Sequence, residues 1–132
     1  GVTPVPLKPV AHVGASIGKE LPVWDIRRNF GDTNLLVVNM EQGRDLAKGL
    51  GDNNVVLMRG HGCAVTGTSV QGAVMTSIYL QVNAKLQLQT MMIGEPDYLT
   101  DTEIEECTAM QQAPISLDRA WEVWCRRAAK NS

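Results

Sequence analysis

Apolar residues along this chain change rhythm several times, and the changes outline its elements. Asn34-Leu35-Leu36-Val37-Val38 reads as a short buried strand. Asn39 then offers a side-chain oxygen to cap a helix through Leu50, with Glu41 in a first turn whose dipole favours negative charge. Gly51 ends that helix, Asp52-Asn53 turn the chain, and the apolar run Val55-Val56-Leu57-Met58 makes a strand over residues 54–59. Arg59-Gly60-His61-Gly62 is a turn, and Cys63-Ala64-Val65 returns as a short strand. The result is a strand–helix–strand unit whose central strand ends at His61.

From Ser69 to about Ile93 the period becomes helical, with Val70, Val74, Ile78, Val82 and Leu86 four residues apart and Ala73, Leu80, Ala84, Leu88 and Met91 widening the face. This helix is expected to be largely buried by that stripe, with Gln71, Gln81, Gln87 and Gln89 on the remaining surface. Carrying so few charges, it suits packing against a second subunit as well as its own sheet. Thr100-Asp101-Thr102-Glu103 has the form of a capping box opening a short helix to about Gln112, which Pro114 breaks. Ser116 is expected to cap a last helix, Leu117 to Ala129, with Ala120, Trp121, Trp124 and Cys125 on one side as core or interface anchors.

The first third is less regular. Pro4, Pro6 and Pro9 favour an extended path. The alternation in Val10–Gly18 around His12 suits a short strand running into a glycine-bearing loop. Leu21 to Asp32 mixes aromatics, charges and glycine and reads as an excursion that Trp24 and Phe30 anchor on the core. Arg27 or Arg28 there is a candidate to neutralise a substrate carboxylate through the bidentate guanidinium fork.

Composition narrows the classes. A chain of 132 residues, 44% hydrophobic and 20% charged, has the make-up of a folded globular protein and the length to bury a core. A net charge of −2 without a basic run, and only 5% aromatics, argue against a nucleic-acid partner. No apolar span is long enough to cross a bilayer, so the cytoplasm is the expected location and no membrane partner is implied. Cys63, Cys107 and Cys125 are odd in number and widely spaced, which suggests free thiols rather than a disulfide framework or zinc ribbon. Cys63 reads as a small buried hydrophobe.

His61 stands out chemically. Lying between Gly60 and Gly62 at a strand end, it has no flanking Cβ to block a metal ion or ligand. The carboxyl ends of strands are where α/β sheets usually place their chemistry.

The run Val55-Val56-Leu57-Met58-Arg59-Gly60-His61-Gly62-Cys63-Ala64-Val65-Thr66-Gly67-Thr68-Ser69 and the helix after it resemble the C-terminal half of the class II aldolase/adducin family. Pro9-Val10-Ala11-His12-Val13-Gly14 and Pro22-Val23-Trp24-Asp25-Ile26 are similar to segments of the branch that decarboxylates hydroxylated aromatic acids. The resemblance implies an α/β fold of the three-layer α/β/α sandwich type, of which residues 1–132 would be the C-terminal portion of a single domain. It implies that His61 is a ligand to a divalent metal, zinc first and manganese or another ion second, with Gly62 beside the substrate.

The resemblance makes His12 a substrate-contacting or acid/base residue and Arg27 a substrate-binding one. It implies a metal-dependent carbon–carbon lyase whose metal stabilises the enolate formed as a carboxylate is lost. A sugar-phosphate aldolase is the alternative within the family, and a non-catalytic adducin-like interaction domain or inactive fragment the alternative outside enzymology. The partners implied are a small-molecule carboxylate or phosphorylated substrate and further copies of the chain, a tetramer in many relatives, in which residues near the C-terminus such as Trp121, Trp124 or Arg126 act on a neighbour's site. The family's His-x-His pair and catalytic carboxylate have no counterpart among these residues, whose histidines are His12 and His61, so an N-terminal half is expected to complete the site.

Overall fold

A computed structural model describes residues 1–130. The chain forms two compact units, one of Gly1–Leu7 with Glu20–Thr66 and one of Lys8–Lys19 with the chain from Gly67 onward. The fold is mixed α/β with a small sheet, in line with the class the sequence indicated.

The first unit holds the sheet, in the order β1 (Val23–Trp24), β2 (Val55–Met58), β3 (Gly62–Val65). β1 runs parallel to β2, with Val23 opposite Leu57 and Trp24 opposite Met58, and β3 returns antiparallel with Met58 opposite Gly62. A parallel pair needs a crossover. Here the crossover carries α1 (Arg27–Phe30) and α2 (Met40–Leu50). β2 is central and its Val55 and Val56 are fully buried, which is why it reads as an unbroken apolar run rather than an alternating one. Trp24, Ile26, Val56 and Met58 form the core, with Phe30, Leu35, Val37, Leu46, Leu50 and Ala64 packed against it. Trp24 Nε1 donates to Asp45 Oδ2 at 2.8 Å, so the buried indole keeps its hydrogen bond while tying α2 to β1.

α2 matches the sequence closely. Asn39 caps it, its Oδ1 accepting from the Gln42 amide at 2.9 Å, and Gly51 ends it at φ 55°. The segment 34–38 departs from expectation, because it is not a strand. Leu35 takes φ +67°, outside the extended range, and Leu35 and Val37 lean on the core while Leu36 and Val38 stay exposed. The excursion over 21–32 is more regular than expected, containing both β1 and α1.

In the second unit, residues 12–17 form a 3₁₀ helix and not the expected strand, its amides reaching back three residues as in Gly14 to Ala11 at 2.8 Å. It packs with α3 (Val70–Met91), α4 (Asp101–Gln112) and α5 (Pro114–Lys130). Ser69 caps α3 by accepting from Gly72, and the Thr100–Glu103 capping box opens α4 as expected. α5 starts earlier than expected, at Pro114 and not after Ser116, because proline has no amide to leave unpaired in a first turn. Trp124 meets Tyr79 edge to face at 6.0 Å, and no α5 residue is fully buried.

The buried face of α3 also differs. Gly72, Met75, Thr76, Leu80, Asn83 and Gln87 are inside, whereas Val70, Val82, Leu86 and Leu88 are exposed. Polar groups occupy the inner face because the extended segment 8–10 lies against it with unsatisfied backbone. Gln87 Oε1 accepts from the Lys8 amide at 2.9 Å, and Asn83 serves Lys8 and Val10 together.

Candidate functional site

The ends of β1 and β2 carry a cluster of charged side chains. Because Trp24 is paired in register with Met58, the next residue of each strand, Asp25 and Arg59, comes to the same edge, and the Arg59 amide still donates to the Trp24 carbonyl at 2.9 Å. Asp25 accepts from Arg27 through two guanidinium nitrogens, Nε to Oδ1 at 3.0 Å and Nη2 to Oδ2 at 2.7 Å, and from the Arg27 amide at 3.1 Å. Arg59 Nε stands 3.6 Å from Oδ2 of the same carboxylate. One carboxylate therefore serves two guanidiniums. The hydrogen bonds from Arg27, with the Arg59 charge adding to them, lower the Asp25 carboxyl to a pKa of about 2.

Beyond Arg59 the chain turns in three residues, with Gly60 at φ +67° and the His61 amide donating to the Met58 carbonyl at 3.1 Å. A side chain at residue 60 would be strained by that φ and would press on Leu35 at 3.3 Å. Gly62 faces open space, where an added Cβ would meet nothing within 4 Å. His61 is exposed, so its imidazole is accessible to a ligand. Cys63, expected to be buried, is exposed on β3 because this edge strand is uncovered at its start.

Arg27 lies in this unit with His61 and Gly62, but its fork is already occupied by Asp25. His12 belongs to the other unit. It is exposed at the start of the 3₁₀ helix, its carbonyl accepts from Gln111 Nε2, and with Val13, Met75, Tyr79, Met110, Gln111 and Ser116 it lines a recess of about 220 Å³. Among the described residues no group of three or more His, Cys, Asp or Glu side chains is placed to hold a metal ion. His61 is a single donor, and structural or catalytic zinc needs at least three protein ligands, so these residues do not by themselves fit a metal. Asp25 and Arg59 were not singled out by the sequence. Their only signal is position, one residue past each of two strands, and β1 is too short to announce itself.

Comparison with known proteins gives the family context. The family model described as "Class II Aldolase and Adducin N-terminal domain" matches residues 4–88. The chain is 28% identical to decarboxylase tropJ of Talaromyces stipitatus over an alignment covering 95% of the chain and 54% of that protein. A solved L-fuculose 1-phosphate aldolase superposes with a TM-score of 0.60 at 23% identity, over 80% of this chain and 46% of that one, a likeness of fold. The chain thus spans about half the length of the relatives it matches. None of the described helices is long and apolar enough to cross a membrane.

Proposed function

The chain belongs to the class II aldolase/adducin family, and from that premise we propose that the protein is a carbon–carbon lyase which decarboxylates a hydroxylated aromatic or related carboxylate. The observation that carries the reading is the placement of His61. It is exposed in a glycine-flanked turn at the carboxyl end of the central strand, two residues after Arg59, which with Arg27 places two guanidiniums around the Asp25 carboxylate. Such an edge offers positive charge for an anionic substrate and an imidazole at the same rim. The similarity to a decarboxylase along nearly the whole chain supports this reaction over aldol cleavage. We assign His61 as one donor to a divalent metal, zinc or manganese, in a site that needs further donors, and Gly62 as the open backbone beside the substrate. His12 is assigned to substrate contact or proton transfer. The test is CO2 release from hydroxybenzoates by the full chain, with metal content measured alongside. Activity that disappears in His61→Ala while the protein stays folded supports the reading, and the absence of CO2 release from every hydroxylated acid tried would defeat it.

A second reading has its own observation. Val70, Leu88, Met92 and Ile93 of the second unit are exposed at 68%, 62%, 77% and 90%. An adducin-like interaction module would use such residues for association and would be indifferent to His61→Ala.

A further inference from the structure

We propose that Arg59 is the anion-binding residue of the site and that the group it binds is one the substrate keeps through the reaction, so that the substrate carries a second carboxylate besides the one it loses. The inference rests on the decarboxylase reading for its chemistry, and on the ion-pair geometry for its residue.

The geometry separates the two arginines. Arg27 engages Asp25 with Nε, Nη2 and its own backbone amide, and Asp32 adds a further favourable charge nearby, so its fork is occupied and its positive charge answered. The closest approach of Arg59 to Asp25 is at Nε, at 3.6 Å, which is longer than a hydrogen bond. No other ion pair is made by Arg59 among the described residues, and its side chain is 40% exposed. Asp25, with 15% of its side chain exposed, therefore steadies one edge of the Arg59 guanidinium and leaves the terminal nitrogens for a ligand. Those nitrogens suit a planar carboxylate, which takes two parallel N–H bonds. Two further features admit a ligand there. Gly62 is open on its Cβ side, and the turn from Arg59 to His61 sits at the carboxyl edge of the sheet.

The chemistry then decides which carboxylate. In decarboxylation the carbon–carbon bond breaks, its electron pair stays on the substrate carbon, the carboxylate departs as neutral CO2, and a proton later occupies the vacated position. A guanidinium paired with the departing carboxylate would be strongest in the reactant and would fade as the charge left that group, which stabilises the ground state and slows the step. An uncovered arginine beside the reacting edge is productive only on an anion that survives. A retained carboxylate is such a group.

The experiment is calorimetric titration of the full chain with salicylate and, separately, with hydroxyterephthalate, which adds one carboxylate. The expected result is at least about tenfold tighter binding of the dicarboxylate, as one charge-assisted contact provides. Arg59→Met should erase the preference, Arg59→Lys should restore part of it, and Arg44→Met, which removes a cation elsewhere on the same unit, should leave it intact. Equal binding of the two probes by the unaltered protein, no measurable binding of either, or a preference that survives Arg59→Met would each overturn the assignment. Circular dichroism of each variant reports folding. Because the affinity preference and CO2 release are separate readouts, an Arg59-dependent preference in a protein that releases no CO2 would uphold the anion site and defeat the decarboxylase reading. CO2 release with KM unchanged in Arg59→Met would do the reverse.

Discussion

The side chain of Asn83, completely buried in α3, closes a two-point hydrogen-bonded ring with the backbone around Val10. Its Oδ1 accepts from the Val10 amide at 2.9 Å and its Nδ2 donates to the Lys8 carbonyl at 2.7 Å. A carboxamide thereby does for residues 8–10 what a neighbouring strand would do, pairing one donor and one acceptor on either side of Pro9. Replacing Asn83 by leucine keeps the volume and orphans both backbone groups. The expected loss is about 2–6 kcal/mol of unfolding free energy in urea denaturation, since each of the two buried unpaired groups costs about 1–3 kcal/mol. A loss below about 0.5 kcal/mol would show that water reaches both groups.

Gly14 belongs to the same arrangement. A Cβ at residue 14 would run into the Asn83 side chain, approaching its Cβ to 3.0 Å and its polar end more closely still, so Gly14→Ala forces the carboxamide out of its ring. We expect about 1–3 kcal/mol of destabilisation from overpacking. The two changes should be strongly non-additive, because Asn83→Ala removes what Gly14→Ala strikes. A double-mutant cycle with a coupling energy near zero would refute the contact.

How much of this was readable from the sequence depends on how local the cause is. The caps at Asn39 and Thr100 were legible because each is a side chain closing on an amide three residues ahead. The inner face of α3 was misread for the opposite reason. Asn83 and Gln87 are inside only because Lys8 and Val10, far off in sequence, need partners, so a hydrophobic stripe through Val70, Val82 and Leu86 pointed to the wrong side. Residues 34–38 have a strand's composition but lack a strand's neighbour. At the site, His61 was legible from its glycines. The Asp25–Arg59 pair was not, because only the parallel register of Trp24 with Met58 brings those two residues together.

Asp25 gives the protein an acid-side signature. Its carboxyl is lowered from 3.8 to about 2 in the folded state, chiefly by the hydrogen bonds from Arg27, so the folded protein holds the ionised form more tightly than the unfolded chain does. The sign follows by linkage. The unfolded chain takes up the proton first as pH falls, so the stabilisation is complete above about pH 4 and drains away between there and about pH 2. Asp25→Asn should lower thermal stability at pH 6 and make the melting temperature fall less steeply from pH 4 to pH 2. Parallel curves for the two proteins over that interval would show that Asp25 is not coupled to Arg27 in solution.

Removing the α3 cap tests whether the long helix depends on its start. Ser69 Oγ accepts from the Gly72 amide at 3.1 Å. Ser69→Ala should cost about 1 kcal/mol, as N-cap removal commonly does, and Ser69→Asp should recover it, since aspartate caps as well as serine and favours the helix dipole. Equal stability of all three proteins in urea would place the start of α3 elsewhere.

His61→Ala separates a functional histidine from a structural one with unusual clarity. The imidazole is exposed and its backbone amide, which closes the turn onto Met58, is untouched by the substitution. The flanking Gly60 and Gly62 still supply the turn geometry, so stability should change by less than about 0.5 kcal/mol, as at ordinary surface positions. If His61 works at the substrate or as one donor to a metal, kcat/KM for CO2 release should nonetheless fall by more than about 100-fold, beyond what disturbing a ligand's supporting contacts costs. Bound zinc or manganese, measured by elemental analysis of the full chain, should fall with it. His12→Ala should behave differently, lowering activity while leaving metal content unchanged, because His12 is assigned to substrate contact or proton transfer and not to the metal. A His61→Ala protein that keeps both its activity and its metal would remove His61 from the site and with it the observation on which the lyase reading rests.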